Sequence, residues 1–145
     1  MANPPLDALT AGGSGDLSPA KGSTDLKNQA WSQRSASPEM PSPVAIDGLL
    51  YLTDENLLTC RDAGTGEQLY KERLPGLVTV AASPIVIGDK LLLVDEEGHA
   101  IFVQVGPEFT PVGNGHLQDV FWATPMVAGD SLLLRGVEKL YCIRG

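Results

Sequence analysis

The sequence lacks the features that mark membrane-spanning, nucleic-acid-binding and disulfide-stabilised proteins. It has only two cysteines in 145 residues, Cys60 and Cys142, without Cys-x-x-Cys spacing, which is too few for a disulfide framework. No apolar run approaches the ~20 residues that a transmembrane helix needs. Ten basic residues against 18 acidic ones give a net charge of −8, so a phosphate backbone would be repelled. We therefore expect no membrane span and no nucleic-acid partner.

The first residues, Met1 to Asp7, also lack the basic segment and the apolar core of a signal peptide. Two interpretations stay open. Either the protein is cytoplasmic, or the chain does not begin where the natural gene product begins.

What the sequence has in abundance is glycine and proline. Sixteen Gly and 11 Pro lie between short apolar runs, whereas the hydrophobic share of 43% and the charged share of 19% are ordinary for a soluble domain. Interrupted apolar runs of this kind favour many short strands joined by tight turns over a few long helices.

A motif of Ser or Thr followed by Pro recurs every 41 residues, at Ser42, Ser83 and Thr124. After each proline come three apolar residues, a pair made of Asp and Gly, and a second apolar run. Asp/Gly pairs tolerate the positive φ angles of the tight turns that join antiparallel strands. Each unit is therefore predicted to begin with a β-hairpin, and the fixed period predicts a repeat fold.

Two further strands complete the predicted unit of about 41 residues. Four short antiparallel strands in such a length are typical of one blade of a β-propeller. A β-sandwich gives no reason for the fixed period, and the Pro and Gly positions exclude stacked helices. The predicted third strands are Leu57 to Arg61 and Ala100 to Val105, and the more polar fourth strands are Glu67 to Arg73 and Glu108 to Val112.

The segment from Asp62 to Tyr70 resembles the hallmark of the pyrroloquinoline-quinone (PQQ) repeat, Asp-x-x-Thr-Gly followed by a Trp four residues later. Ser42 to Tyr51 is similar to the family's Ser-Pro-Val-x-x-Asp-Gly-x-Leu-Tyr segment. Tyr70 stands in the place of the Trp and keeps an aromatic ring for docking against the adjacent blade. Trp31 is similar to that docking residue in a preceding blade. The resemblance covers the chain from Trp31 onwards and includes the BamB-like proteins of bacterial outer-membrane assembly, which are normally exported.

The resemblance implies an all-β fold of four-stranded antiparallel propeller blades, about three to three and a half of them, in an incomplete ring. Such a set does not close by itself, because its terminal blades expose apolar faces and a free sheet edge. We expect the C-terminal part of a longer propeller, or self-association in which two copies complete a ring of about seven blades. The predicted parts are a partial blade and Gly-rich loop at 1–30, with an outer half-blade from Leu6 to Trp31, and propeller blades at 31–145. The repeats are predicted to start near 42, 83 and 124. The blades at 42–73 and 83–112 are predicted to be complete, and the blade at 124–143 is predicted to have three strands.

The acidic turns and the histidines are predicted not to form a metal site. Asp54-Glu55 and Asp95-Glu96-Glu97 are predicted to be solvated hairpin turns and not calcium ligands, because hard cations need six or more converging oxygens. His99 and His116 have no partner at metal-ligand spacing and are predicted to be single surface histidines.

The family name raises the alternative of a PQQ-dependent quinoprotein dehydrogenase, of which this chain would be the C-terminal part. For those enzymes the resemblance implies a bound quinone, a calcium ion and a disulfide between adjacent cysteines. Cys60 and Cys142 are not adjacent in the sequence. They hold the same strand position in two blades that are separated by a whole blade, which is too far apart for a disulfide. Both are predicted to be small buried residues. We therefore predict no cofactor, no metal and no catalytic residue.

Three large side chains precede the innermost strands, near the expected axial mouth of the propeller: Met40, Phe121 and Trp122. Large aromatic residues at such a place are typical anchors for a bound peptide or protein. The alternative, which the residues alone favour, is that all three pack between blades. The sequence thus predicts a non-enzymatic β-propeller scaffold that binds protein or peptide, and the resemblance implies a periplasmic or secreted protein of the bacterial envelope.

Overall fold

A computed structural model describes residues 4–34 and 37–145, so Met1 to Asn3 of the predicted partial blade lie outside the described residues. Within those two ranges the chain is all-β, with thirteen strands and no helix. The strands form four antiparallel sheets of two, four, four and three strands, which we call blades 1 to 4 in chain order. In this part of the chain nothing helical is long or apolar enough to cross a membrane.

The strands follow one another in each sheet in chain order. Blade 1 consists of β1 (Leu6–Leu9) and β2 (Gln29–Gln33). Blade 2 consists of β3 (Val44–Ile46), β4 (Leu49–Asp54), β5 (Leu57–Asp62) and β6 (Gln68–Arg73). Blade 3 consists of β7 (Ile85–Ile87), β8 (Lys90–Val94), β9 (His99–Gln104) and β10 (Pro111–His116). Blade 4 consists of β11 (Met126–Ala128), β12 (Ser131–Arg135) and β13 (Leu140–Arg144).

The three predicted hairpins are present, and their turns have the expected backbone. Asp47 and Gly48 both have positive φ angles, of 50° and 76°, as a type I′ turn requires. Gly88 and Gly129 have φ angles of 62° and 61° at the matching turns. The repeated Asp/Gly pair therefore fixes the register of the two innermost strands in blades 2, 3 and 4.

The predicted fourth strand of blade 3, Glu108 to Val112, was wrong. The structure starts this strand at Pro111 and continues it to His116, with a register shift between Pro111 and Gly113. The prediction followed the apolar residues, whereas β10 is built mainly from glycine and polar residues that pair with β9 through their backbone. Phe109 lies before the strand, where its ring contacts Tyr70 of blade 2 at a centroid distance of 5.9 Å.

Hydroxyl groups of the repeated Ser/Thr-Pro motif link consecutive blades. The backbone N–H of Ser42 donates to the Ser83 hydroxyl at 2.8 Å, and the N–H of Ser83 donates to the Thr124 hydroxyl at 3.3 Å. The Ser83 and Thr124 hydroxyls thus each satisfy a backbone donor one repeat earlier, which otherwise lacks a strand partner. This explains why a hydroxyl residue recurs at the start of each innermost strand.

Two hydrophobic cores lie between blades. The larger core joins blades 2 and 3 around the fully buried Tyr51, Leu58, Leu91 and Leu93. The smaller core joins blades 3 and 4 around Leu92, Val94, Phe121 and Leu134. Since each four-stranded sheet is apolar on both faces, its strands are covered only where a neighbouring blade is present.

The outer face of blade 4 has no neighbour within the described residues, and the four sheets do not close into a ring. Met126 is 56% exposed on this face and Leu140 69%. Cys142 is exposed as well, whereas Cys60, at the same strand position in blade 2, is buried. The prediction that both cysteines are buried was therefore wrong for Cys142, because the blade that would cover it is not among the described residues.

Candidate partner-binding surface

Turns between the second and third strands of blades 2, 3 and 4 lie at one end of the fold, which we call the turn end. The connections between blades cross this end and pair with those turns. Val80 N–H donates to the Glu55 carbonyl at 2.9 Å, and Phe121 N–H donates to the Glu96 carbonyl at 3.2 Å, one repeat later. The turn end is therefore built on repeated backbone hydrogen bonds and not on a free loop.

Three consecutive residues of the last connection alternate between solvent and core. Val120 is 40% exposed, Phe121 is 1% exposed and Trp122 is 63% exposed. Extended backbone explains this pattern, because successive side chains point to opposite sides. Val137, 54% exposed, is joined to this segment by its N–H, which donates to the Val120 carbonyl at 2.9 Å. Val120, Trp122 and Val137 form an exposed apolar group that we call the turn-end patch.

The structure separates the three predicted partner-binding residues. Phe121 packs between blades 3 and 4, with its ring 5.7 Å from that of Tyr141. Met40 is 66% exposed but precedes blade 2, whereas the exposed Trp122 precedes blade 4. Of the three side chains, only Met40 and Trp122 are accessible to a partner, and Phe121 supports Trp122 from behind.

Asp95 is a buried carboxylate that fixes the turn of blade 3, and not a solvated turn residue as predicted. It is 0% exposed and accepts hydrogen bonds from the backbone N–H groups of Val78, Glu97 and His99 at 2.8–3.0 Å. Its second oxygen also lies 3.1 Å from His99 Nδ1. Burial of the carboxylate is tolerated because backbone N–H groups donate to both oxygens, two to Oδ1 and one to Oδ2.

The two histidines form a stacked pair, which corrects the prediction of single surface residues. The rings of His99 and His116 lie 4.6 Å apart with an interplanar angle of 28°. His116 Nε2 lies 3.3 Å from the Glu97 carbonyl. The signal that would have revealed the pair is strand register, since His99 on β9 lies directly opposite His116 on β10.

Blade 4 uses a different carboxylate for the corresponding turn. The position of Asp95 is held one repeat later by Gly136, and the position of Val78 is held by Asp119. The Asp119 carboxylate accepts from the N–H groups of Glu138 and Lys139 at 3.1–3.3 Å and from the Tyr141 hydroxyl at 3.3 Å. Burial opposes ionisation of Asp119, but these bonds and the Val120 N–H outweigh it and lower its pKa. Gly136 leaves the space that this carboxylate occupies.

The PQQ-type hallmark forms a closed turn that receives an aromatic ring from blade 1. Asp62 Oδ1 accepts from Gly64 N–H, Thr65 N–H and the Thr65 hydroxyl at 2.8–3.0 Å, and the Thr65 bonds lower the pKa of this carboxyl. The Trp31 indole N–H donates to the Ala63 carbonyl at 3.0 Å. Gly66 has a φ of 74°, and a Cβ there would lie 2.6 Å from the Trp31 ring. The glycine of the motif is therefore required both by its backbone and by the ring.

Blade 2 docks on blade 3 through Tyr70, which stands in the place of the tryptophan but makes a ring contact where Trp31 makes a hydrogen bond to a backbone carbonyl. Its ring contacts Phe109, and burial raises the pKa of its hydroxyl. Tyr51 adds a polar link, because its hydroxyl accepts from Gly106 N–H at 2.9 Å and lies 3.2 Å from the Gly106 carbonyl. Burial raises the pKa of Tyr51 to about 12. Both side chains are held between blades, and neither is presented to a ligand.

The described residues offer no grouped ligand set for the calcium ion of the dehydrogenase alternative. Both oxygens of Asp95, the buried carboxylate of the acidic turns, are occupied by N–H donors. Among residues 4–34 and 37–145, no three His, Cys, Asp or Glu side chains are grouped so that they would hold a metal.

Comparison with solved structures gives the fold. The chain is similar to BamB from Moraxella catarrhalis, with a TM-score of 0.64 and 16% identity over 83% of this chain and 38% of that one. It is also similar to a europium-containing methanol dehydrogenase, with a TM-score of 0.51 and 16% identity over 64% of this chain and 19% of that one. No family model and no curated protein sequence matches the chain.

The chain has a PQQ-like β-propeller fold. It spans 38% of the BamB chain and 19% of the dehydrogenase chain, so it corresponds to a part of each propeller. The methanol dehydrogenase is an enzyme, whereas the name BamB states no activity. Because one fold can support different functions, the fold alone does not give the function of this chain.

Proposed function

We propose that the chain is a non-enzymatic propeller scaffold that binds a protein or peptide at its turn end. The observation that carries the proposal is the turn-end patch, where Trp122 is 63% exposed on a backbone anchored by the buried Phe121. Exposed tryptophan on a rigid support is a frequent source of binding energy at protein interfaces. Packing between blades, the competing interpretation, is supported for Phe121, which is 1% exposed, whereas the exposure of Trp122 supports a role in binding.

Charge supports a basic or neutral partner. Glu55, Glu97 and Glu138 are exposed in the three turns of this end. The basic residues nearby include Lys139, next to Glu138, and Arg73, which donates to the Asn56 side chain of the blade 2 turn. The whole sequence also carries a formal net charge of −8. A segment that combines apolar side chains with Lys or Arg would gain both contact area and attraction at this surface.

The test is peptide selection against the intact chain, followed by binding measurements on variants. Random peptides are selected on the wild type, and their Kd is measured for Trp122→Ala and for Leu69→Ala, a control that removes another exposed apolar side chain on blade 2. We expect Trp122→Ala to weaken binding at least about 10-fold with an unchanged urea midpoint, because an anchor residue contributes more than about 1.4 kcal/mol. Equal binding by both variants, or a loss of stability in Trp122→Ala, would contradict the proposal.

Location and assembly are part of the proposal. The similarity of fold to BamB supports a place at the bacterial envelope, and the exposed face of blade 4 supports either continuation of the propeller or association of two copies. The organisation into a partial blade at 1–30 and propeller blades at 31–145 stays a prediction. Light scattering separates the two assemblies, because a monomer that unfolds cooperatively excludes the need for a second copy.

The dehydrogenase alternative is favoured by one observation, the fold similarity to the europium-containing enzyme. It predicts that a full-length protein takes up quinone and metal with a red-shifted absorbance. Reconstitution without either uptake would eliminate this alternative.

A further inference from the structure

The strand register of blade 3 holds its two histidines close together. His99 is the first residue of β9, His116 is the last residue of β10, and the two lie directly opposite each other. The Leu117 N–H donates to the Gly98 carbonyl at 3.0 Å, so the next pair along carries the backbone hydrogen bond. His99 and His116 therefore form a non-hydrogen-bonded pair, in which the side chains of antiparallel strands come closest.

Hydrogen-bond acceptors determine which nitrogen of each ring carries the proton. His99 Nδ1 lies 3.1 Å from Asp95 Oδ2, and His116 Nε2 lies 3.3 Å from the Glu97 carbonyl oxygen. A carboxylate and a carbonyl oxygen only accept, so these two nitrogens are the donors when the rings are neutral. The other two nitrogens, His99 Nε2 and His116 Nδ1, then have free lone pairs on adjacent rings.

These partners match the support that proteins give to metal-binding histidines. A ligating histidine usually donates its other ring N–H to a carboxylate or a backbone carbonyl, which fixes the tautomer and the ring orientation. Asp95 has this place beside His99, and it is itself buried and held by three backbone N–H groups. The Glu97 carbonyl has the same place beside His116. Imidazole nitrogen suits Ni²⁺, Cu²⁺ and Zn²⁺, whereas Mg²⁺ and Ca²⁺ prefer oxygen ligands.

A cavity of about 330 Å³ lies beside the two rings. Its walls include both histidines, Asn114 of β10 and the connection at Pro75 to Leu77 between blades 2 and 3. A water molecule occupies about 30 Å³ in the liquid, so the cavity has room for an ion and several waters. The His99 side chain is 39% exposed and His116 is exposed, so an ion can reach both rings from solvent.

We propose that His99 Nε2 and His116 Nδ1 bind one divalent transition-metal ion of the Ni²⁺, Cu²⁺ and Zn²⁺ group, with water or an outside ligand at its other positions. Each lone pair lies in the plane of its ring. The exposed His116 ring therefore tilts further from the 28° interplanar angle to reach the ion, while Asp95 holds His99 in place. Two protein ligands are fewer than the three or four of a dedicated zinc site, so we expect an exchangeable ion.

The proposal departs from the prediction of no metal, because the register that pairs the two rings is not visible in the sequence. None of its residues belongs to the turn-end patch, so it does not depend on the proposed function.

The first experiment measures Zn²⁺ binding to the whole chain by competition with a chromophoric chelator. Every protein carries Cys142→Ser, because that exposed thiol would itself bind the ion. We expect one Zn²⁺ per chain, and a Kd at least about 10-fold weaker for His99→Ala and for His116→Phe. His116→Phe is the matched variant, since its ring keeps the stack but has no nitrogen. Asn114→Ala, in the cavity wall, is the control and should leave the Kd within twofold.

The second experiment identifies the ligating atoms by NMR of chains labelled with ¹⁵N-histidine, which have only two imidazole rings to assign. Zn²⁺ is expected to shift His99 Nε2 and His116 Nδ1 most, because the other two nitrogens keep their protons. A merely structural histidine pair would show no such shift.

Three results would overturn the proposal. They are an unchanged Kd in His116→Phe, a Zn²⁺-dependent shift in only one of the two rings, and binding of one Zn²⁺ per two chains, which would mean that the ion joins two copies. If His99→Ala fails to fold, His116→Phe and the NMR shifts still decide, because His116 is exposed and the labelled chain keeps both histidines.

Discussion

The interfaces on the two sides of blade 3 are built from the same repeat but are packed differently. Eleven buried residues form the core between blades 2 and 3, and four form the core between blades 3 and 4. The first interface has four strands on each side and a Tyr70–Phe109 ring contact, whereas the second has a three-stranded partner and small residues at Ala100 and Gly115. Equivalent sequence positions therefore have different energetic roles, depending on how complete the adjacent blade is.

Thiol labelling is expected to give the largest difference between equivalent positions. Cys60 is 0% exposed between blades 2 and 3, and burial raises its pKa, while Cys142 is exposed on blade 4. Cys142 should react with a disulfide reagent at the rate of a free thiol, and Cys60 at least ~1,000-fold more slowly, because it reacts only after opening. A Cys142→Ser variant should show the slow phase alone. Two fast thiols would show that the first interface is open, and two slow thiols that blade 4 is covered.

Removal of a buried leucine at the same repeat position compares the two cores directly. Leu93 is 1% exposed in the first core, and Leu134, one repeat later, is 4% exposed in the second core. Leu93→Ala should lower the free energy of unfolding by about 3–5 kcal/mol, and Leu134→Ala by about 2–3 kcal/mol, because Leu134 has fewer packed neighbours to lose. Urea denaturation measures both. Equal costs would mean that the second interface is as well packed as the first.

The turn of blade 3 is fixed by the Asp95 carboxylate, whereas the turn of blade 4 is fixed by the Asp119 carboxylate. This difference gives a third comparison. Gly136→Ala would place a methyl group against the Asp119 carboxylate and should cost about 1–3 kcal/mol in the free energy of unfolding. In an Asp119→Ala background the cost of the same change should fall, because the obstructing group is gone. Thermal unfolding of the four combinations measures the coupling, and additive effects would show that the two positions act independently.

The period of the sequence predicted the fold well, because each hairpin is specified locally by its Asp/Gly turn and its apolar runs. The fourth strand of blade 3 was misplaced because Gly113 and Gly115 carry no apolar side chain, although their backbone pairs with β9. Cys142 was placed in a core because sequence position cannot tell whether the next blade is present.

The candidate site was predicted less completely. Phe121 and Trp122 were grouped together, but the alternation of extended backbone buries one and exposes the other. The stacked histidines depend on the register between β9 and β10, which the sequence does not specify where strand ends are glycine-rich. An apolar cavity of about 260 Å³ between blades 3 and 4 was missed, because its lining includes small residues such as Ala100 and Gly115, which form no apolar pattern in the sequence.

Two tyrosines provide the smallest test, since each joins one of the interfaces through a single hydroxyl. Tyr51 is 0% exposed and bonds to Gly106 of blade 3, while Tyr141 bonds to Asp119 near the surface of blade 4. Tyr51→Phe should cost about 1–1.5 kcal/mol at pH 7, because the Gly106 N–H loses its acceptor. Tyr141→Phe should cost less, because water can replace a hydroxyl that lies at the surface.

The pH dependence of Tyr51 has a defined sign. Burial raises its pKa to about 12, against about 10 in an unfolded chain, so the folded state favours the neutral phenol. The resulting stabilisation is complete below pH 10 and is lost as the pH rises from 10 to 12. The wild type should therefore lose more stability over this window than Tyr51→Phe, as followed by urea midpoints at pH 9, 10 and 11. Parallel losses in the two proteins would show that the hydroxyl is already solvated, and that the first interface is no tighter at this point than the second.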